Sequence, residues 1–129
     1  MKQFIWITDE VVFSIHNMLL AEHGGATGIR EIDLLYSALS RPKNKYEYEP
    51  SVSIFQLAAA YSFGLARNHP FVDGNKRVAL VVGATFLEVN GFTLNASEAE
   101  AVLVFEKLAS GDLDENNLAN WYESFSSSV

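Results

Sequence analysis

Two segments of this chain are apolar on nearly every side when they are wound into helices, and they constrain the fold more than any other feature. The first is SVSIFQLAAAYSFGLARN, residues 51–68, and the second is VALVVGATFLEV, residues 78–89. A helix without a polar face has to be covered by other elements, so the pattern predicts two buried central helices. The alanines and glycines in both segments permit these helices to pack closely.

Amphipathic helical patterns on either side can provide this cover. Thr8-Asp9-Glu10 has the composition of a helix start, and the helical period that follows stops at Gly24-Gly25. A second helix is predicted over residues 31–39, because Arg41-Pro42 should end it and leave a polar loop as far as Pro50.

Two more amphipathic helices are predicted near residues 97–109 and 114–125. No stretch shows the alternation that is typical of a strand, and the terminal SFSSSV is expected to fray. A chain of 129 residues has the size of one ordinary domain. The predicted fold is therefore all-α, a single domain over residues 1–129 with about six helices, two of them central and buried.

Composition and charge exclude several classes of protein. The chain has no cysteine, which rules out a disulfide framework, a thiolate nucleophile and a cysteine-based zinc site. Its net charge of −7 repels phosphate backbones, so no direct nucleic-acid partner is expected. The apolar run near the N-terminus is too short for a signal peptide, and no run is long enough to span a membrane. We therefore expect a soluble, cytoplasmic protein without a membrane partner.

The nonamer HPFVDGNKR, residues 69–77, joins the two apolar segments and is polar where its neighbours are not. Pro70 should end the first central helix near Asn68, and Gly74 can supply the positive φ of a sharp turn. The second helix is then predicted to begin near Asn75. Its unpaired amides would face a groove at one end of the core, and such a helix start favours bound anions.

The side chains of this nonamer are those that phosphoryl or nucleotidyl transfer needs. His69 can act as a general base toward an attacking hydroxyl, and Asp73 is an oxygen ligand suited to phosphate-bound Mg²⁺. Lys76 and Arg77 can hold phosphate as a point charge and as a two-pronged clamp. Asn75, at the helix start, can hold either a phosphate oxygen or the histidine. The stretch therefore predicts a phosphate-binding catalytic loop.

HPFVDGNKR resembles the H-x-F-x-[D/N]-x-N-x-R signature of the Fic/Doc superfamily, in which this loop joins two central helices. Fic enzymes that transfer AMP carry glycine where this chain has Lys76 and a second arginine where it has Leu80, so both positions resemble the Doc type. GGATGIREIDLLYSALSRP, residues 24–42, is similar to a segment of Doc proteins as well.

The resemblance implies a toxin of a type II toxin–antitoxin pair that phosphorylates a threonine or serine of elongation factor Tu with ATP and arrests translation. It also implies an antitoxin whose disordered C-terminal segment folds against the toxin. Carried over by position, His69 would be the base and Asp73 the metal-associated carboxylate. The ATP ligands would be Gly74, Asn75, Lys76, Arg77 and Arg67. The predicted loop over Arg41–Tyr48 would occupy the position of a target-docking flap.

Two other functions remain open from the sequence. A Fic-type protein adenylyltransferase would share the fold and the base but bind the nucleotide in the reverse orientation. The side chain of Lys76 disfavours that orientation. A catalytically inactive module that only binds an antitoxin would not need the complete set of motif residues.

Overall fold

The computed structural model describes residues 3–129, which form six helices and one two-stranded sheet. The helices are α1 (Asp9–His23), α2 (Ile32–Tyr48), α3 (Ile54–Asn68), α4 (Asn75–Val89), α5 (Glu98–Ser110) and α6 (Glu115–Ser124). The strands are β1 (Phe92–Leu94) and β2 (Ser126–Ser128). The predicted all-α class is confirmed.

The two apolar segments form the centre of the molecule as α3 and α4. They pack against each other, and α2, α5 and α6 cover α3 while α1 and α5 cover α4. A buried polar link also joins α3, α4 and α6, because the Ser62 hydroxyl donates to the Ala79 carbonyl at 2.7 Å and lies 2.6 Å from the Tyr122 hydroxyl. The groups in this link satisfy one another, so the centre contains polar atoms without leaving them unpaired.

The prediction that Arg41-Pro42 ends the second helix is wrong, since α2 continues through Pro42 to Tyr48. Leu35, Ala38 and Pro42 lie buried on one face of α2, against α3. A Cβ at Gly64 of α3 would stand 3.1 Å from the Cα of Ala38, so the two helices approach closely there. Burial of this face offsets the backbone hydrogen bond that an internal proline removes, which costs about 3 kcal/mol or more.

The absence of strands and the fraying of the terminus were also wrong predictions. β1 and β2 pair antiparallel, with Thr93 opposite Ser127. Flanking backbone bonds extend the pairing, from the Asn95 amide to the Phe125 carbonyl at 2.7 Å and from the Val129 amide to the Gly91 carbonyl at 2.9 Å. Strands of three residues are too short to show alternation, and the ladder depends on segments that are far apart in the chain.

The start of α1 agrees with the prediction, because the Thr8 hydroxyl accepts a hydrogen bond from the Val11 amide and caps the helix. The predicted stop is confirmed by Gly24, whose amide donates to the Leu20 carbonyl at 2.8 Å. Chain segment 24–31 then leads away from α1 and lies along the junction of α3 and α4.

Candidate active site

The junction between α3 and α4 has the boundaries that its sequence predicts. α3 ends at Asn68, and His69 adopts a left-handed conformation with φ 49° and ψ 58°. It is the only non-glycine residue with positive φ within residues 3–129. Gly74, with φ 82°, precedes Asn75 at the start of α4. The loop over residues 69–74 therefore contains two residues in the left-handed conformation, and one of them, His69, is the predicted base.

Asn75 shapes this loop from inside. Its side chain is buried, its Oδ1 accepts from the Phe71 amide at 3.0 Å, and its Nδ2 donates to the Phe71 carbonyl at 3.0 Å. Both polar ends of the carboxamide are thus occupied by one backbone unit. Asn75 keeps its backbone amide and the second hydrogen of Nδ2 as donors, and its role as a nucleotide ligand stays a prediction.

Segment 24–31 holds the loop from one side. The Arg30 and Glu31 amides donate to the Pro70 carbonyl at 2.7 and 3.1 Å, and the Val72 amide donates to the Gly28 carbonyl at 3.1 Å. The guanidinium of Arg30 adds a bond from Nε to the His69 carbonyl, 2.8 Å, and one from Nη2 to the Asn68 carbonyl, 2.8 Å. The bond to Asn68 gives a partner to the last carbonyl of α3, which has none within the helix, and the bond to His69 does the same for the residue that caps it.

His16 of α1 supports the loop from below. It is buried, and its ring stacks on Phe71 with the ring centres 3.9 Å apart and the planes at 15°. Its Nε2 lies 3.0 Å from the Asp73 carbonyl oxygen, and since a carbonyl only accepts, Nε2 carries the proton in this bond. A polar residue on the buried face of an amphipathic helix is the sequence signal that could have identified this support.

Asp73 places its carboxylate between the loop and segment 24–31. Oδ1 accepts from the Gly74 amide at 2.8 Å and Oδ2 from the Ala26 amide at 3.3 Å. Each carboxylate oxygen has two lone pairs, so one remains on each for a cation. Within residues 3–129 no three His, Asp or Glu side chains converge on one point. The role of Asp73 as a Mg²⁺ ligand stays a prediction, since it is one carboxylate that would need substrate phosphates to complete the site.

A groove of about 440 Å³ opens beside the loop and collects most of the predicted site residues. They are His69, Asp73, Gly74, Asn75, Lys76 and Arg77. The opposite wall belongs to α5, which adds a second carboxylate, Glu106, that the sequence pattern did not single out. A volume of this size is in the range of small-ligand sites, roughly 300–1,000 Å³.

The start of α4 makes one side of this groove cationic. The amides of Asn75, Lys76 and Arg77 precede the first intrahelical bond, from the Val78 amide to the Gly74 carbonyl, and so have no helical acceptor. The Lys76 and Arg77 side chains are exposed, and among residues 3–129 neither forms an ion pair. Free amides at a helix start and cations without an ion pair are features that favour the binding of anions.

A sequence model described as the Fic/DOC family matches residues 6–87. This range includes α3, the loop between α3 and α4, and all but the last two residues of α4. The chain belongs to the Fic/DOC family. It is 37% identical over 101 residues to Toxin Doc of Mycolicibacterium smegmatis, covering 74% of this chain and 76% of that protein. It is 28% identical over 114 residues to Protein kinase doc of Escherichia phage P1, covering 88% and 90%.

Arg67 is the one predicted site residue that does not line the groove beside the loop between α3 and α4. Its guanidinium lies over the ring of Phe63, 5.4 Å from the ring centre, and beside the turn at Gly111. The side chain is exposed on the surface between α3 and α5. Its role as an ATP ligand therefore stays a prediction.

The segment expected to be a target-docking flap is the second half of α2 rather than a loop. Two of its cations are neutralised by Glu115 of α6, which pairs with Arg41 and, at 3.0 Å, with Lys45. Arg41 also lies over the Phe63 ring at 5.1 Å. The prediction of a loop over Arg41–Tyr48 is therefore wrong. The segment that borders the loop between α3 and α4 is 24–31.

None of the helices within residues 3–129 combines the length and the apolar character that are needed to cross a lipid bilayer.

Proposed function

We propose that this chain is a Doc-type toxin that transfers the γ-phosphate of ATP to a threonine or serine hydroxyl of a translation factor. The observation that carries the proposal is the convergence of His69, Asp73 and the cationic start of α4 on one groove. A base, a carboxylate for a metal ion and a cationic clamp are the parts that phosphoryl transfer requires. The phage P1 relative that is named a protein kinase supports the same reaction.

His69 would be the general base. Its side chain is exposed in the groove, so the imidazole is accessible, and Arg30 holds the backbone from which the imidazole projects. In the proposed step the hydroxyl oxygen of the target forms a bond to the γ-phosphorus, and its proton passes to the imidazole. The bond from the γ-phosphorus to its bridging oxygen breaks, and ADP leaves with that oxygen.

The start of α4 would bind the phosphates. The free amides of residues 75–77 supply fixed donors, and Lys76 and Arg77 supply charge. Asp73, with or without Glu106, would hold Mg²⁺, which when bound neutralises charge that develops on the transferring phosphate. A lysine at the second helical position favours a pose with the γ-phosphate nearest His69. A hydrogen bond to a charged group contributes about 1.5–3 kcal/mol, enough to select one orientation of a ligand.

The proposed target is elongation factor Tu, so the proposed consequence of phosphorylation is translation arrest in the cytoplasm. The name of the M. smegmatis relative, Toxin Doc, supports an antitoxin partner for this chain as well. A second, shallow groove of about 360 Å³ runs along α1, where Val11 and Met18 are exposed. We assign this groove to a disordered antitoxin segment that folds into an amphipathic helix on binding.

The reaction is tested with purified elongation factor Tu and ATP that is labelled on the γ-phosphate in one tube and on the α-phosphate in another. Transfer of the γ-label alone supports the proposal. Transfer of the α-label would show a protein adenylyltransferase instead. Transfer of neither label, to this or any other translation factor, by folded and antitoxin-free protein would indicate an inactive binding module.

A further inference from the structure

His16 is the polar member of the buried face of α1. The other buried residues of this helix are Val12, Ile15 and Leu19. His16 is only 4% exposed, and its Nε2 donates to the Asp73 carbonyl oxygen at 3.0 Å. Burial of a polar group costs free energy unless the group is hydrogen bonded, and an apolar ring could pack in the same place without that requirement. The bond to Asp73 is therefore the property of His16 that packing alone does not explain.

This bond holds one end of the peptide unit between Asp73 and Gly74. The carbonyl of the unit accepts from His16, and its N–H donates to Oδ1 of Asp73 at 2.8 Å. The carbonyl and the N–H of a trans peptide point in opposite directions, so the carbonyl points to α1 and the N–H points to the carboxylate. The side chains of His16 and Asp73 thus fix the rotation of one peptide plane from its two ends.

The identity of residue 74 makes this hold necessary. Rotation of the plane changes ψ of Asp73 and φ of Gly74, and glycine adopts φ of either sign, so its present value of 82° is not enforced by a side chain. The Gly74 carbonyl, which accepts from the Val78 amide at 3.0 Å, belongs to the next peptide unit and does not oppose the rotation. In the rotated state Oδ1 would lose its donor and would face the Asp73 carbonyl oxygen, which is a second acceptor.

The two states differ in what the groove offers to phosphates. The Asp73 carboxylate lines the groove next to the start of α4, whereas His16 does not line it. A rotated carbonyl beside the carboxylate would displace it and would add a negative dipole end where phosphates are expected. We propose that His16 is a positioning residue, which keeps the Asp73 carbonyl turned away from the groove and the carboxylate in place. This role rests on the proposed function and adds to it a residue that touches neither ATP nor the target.

Substitutions at His16 can separate the hydrogen bond from the packing. His16→Phe keeps a ring that can stack on Phe71, whose ring centre is 3.9 Å away, but removes the donor. His16→Gln removes the ring and keeps an N–H donor at about the distance of Nε2 from the backbone. His16→Met is a second variant without a donor, should phenylalanine prevent folding. His23→Phe, at the exposed end of α1, is the control, and urea unfolding identifies the variants that are folded.

The peptide unit is observed through the Gly74 amide by NMR. Wild type and His16→Gln should give the shift of an amide bonded to a carboxylate, and His16→Phe should change this shift or show exchange on the microsecond-to-millisecond timescale. Calorimetry with Mg²⁺ measures the affinity for inorganic tripolyphosphate. We expect this affinity to fall about two- to tenfold in His16→Phe, the effect of one hydrogen bond, and by less than about twofold in His16→Gln and His23→Phe.

An unchanged Gly74 amide and an unchanged tripolyphosphate affinity in a folded donor-free variant would overturn the proposal. Equal losses in His16→Phe and His16→Gln would overturn it as well, because they would show that His16 acts through packing.

Phosphate transfer is measured separately so that the two proposals can fail independently. If the Gly74 amide and the tripolyphosphate affinity respond as expected while the wild type transfers no γ-phosphate to any target, the positioning role stands and the proposed kinase activity is wrong. If the wild type transfers γ-phosphate and His16→Phe does so with unchanged kcat and KM, the kinase stands and the positioning role is wrong.

Discussion

Arg30 holds the backbone of His69 through a hydrogen bond of 2.8 Å from its Nε to the His69 carbonyl oxygen. The second bond, from Nη2 to the Asn68 carbonyl, makes the contact two-pronged and fixes the direction of the guanidinium. A non-glycine residue in the left-handed region costs about 1–3 kcal/mol, and the surrounding structure has to compensate for it. Arg30 is placed to do so, although it does not line the groove.

Arg30 is therefore predicted to position the base rather than to bind substrate. Arg30→Met should lower kcat about ten- to a hundredfold with little change in the KM for ATP, because small displacements of a catalytic group have effects of this size. Arg30→Lys should recover part of the loss. The left-handed backbone of His69 can be followed by NMR through its Cα shift and its amide–Hα coupling. A variant with an altered His69 signature and wild-type kcat would contradict this role.

His69→Ala is expected to remove phosphate transfer and toxicity while the fold remains intact. Loss of a general base typically costs about 10²–10⁴-fold in rate. The side chain is exposed, so the free energy of unfolding should change by no more than about 0.5 kcal/mol. His23→Ala, at the exposed end of α1, is the matched control and should remain active. Growth arrest by a folded His69→Ala variant would show that another group is the base.

Lys76→Gly should lose kinase activity, because the charge that favours the γ-phosphate near His69 is removed. Any AMP transfer gained in exchange should be small, because Leu80 offers no cation to a turned nucleotide. Lys76→Ala, which keeps the helix start stiff, should share the loss of kinase activity and so separate charge from flexibility. Mass spectrometry of the target distinguishes a phosphate from a nucleotide adduct. A nucleotide-sized adduct with the wild-type protein would replace the kinase with an adenylyltransferase.

Asn75→Ala should destabilise the protein as well as inactivate it. The substitution leaves the buried amide and carbonyl of Phe71 without partners, and each such group costs about 1–3 kcal/mol. Asn75→Asp keeps the acceptor for the Phe71 amide but loses the donor, so its stability should lie between alanine and wild type. Urea unfolding measures the order of the three proteins. Equal stability of Asn75→Ala and wild type would show that the loop does not need this clamp.

The buried tyrosines predict a loss of stability at alkaline pH. Burial raises the pKa of Tyr61 from 10.0 to about 12, and hydrogen bonding to Ile7 offsets part of this. Above about pH 10 the unfolded chain releases the Tyr61 proton and the folded protein keeps it, so unfolding becomes more favourable, by up to about 1.4 kcal/mol per pH unit until about pH 12. Burial raises the pKa of Tyr122 also.

Tyr61→Phe tests this alkaline effect through the free energy of unfolding at a series of pH values. The variant should be less stable than wild type at pH 8, because the Ile7 amide loses its 2.9 Å bond to the Tyr61 hydroxyl. Its stability should then fall less steeply above pH 10. Parallel curves for the two proteins would mean that Tyr61 ionises without unfolding.

Local signals in the sequence determine the central part of this protein. The apolar runs around Leu57 and Val82 can only be covered by other elements, and Pro70 and Gly74 confine the loop between them to a short range of backbone angles. Helix boundaries at Asn68 and Asn75 follow from these residues alone. HPFVDGNKR carries its chemistry and its resemblance to the family in nine consecutive residues, so both could be read without the tertiary structure.

Tertiary structure decided what depends on contacts between distant segments. Proline disfavours the interior of a helix, so Pro42 predicts a helix end. α2 nevertheless continues through Pro42, because its buried face packs against α3. Ser126–Ser128 has no strand signal of its own and becomes a strand because β1 supplies its partner. His16 and Arg30 reach the loop between α3 and α4 from positions 57 and 39 residues before the groups they bind. Local sequence encodes where a helix can start and stop, but the free energy of these contacts exists only once the chain has folded.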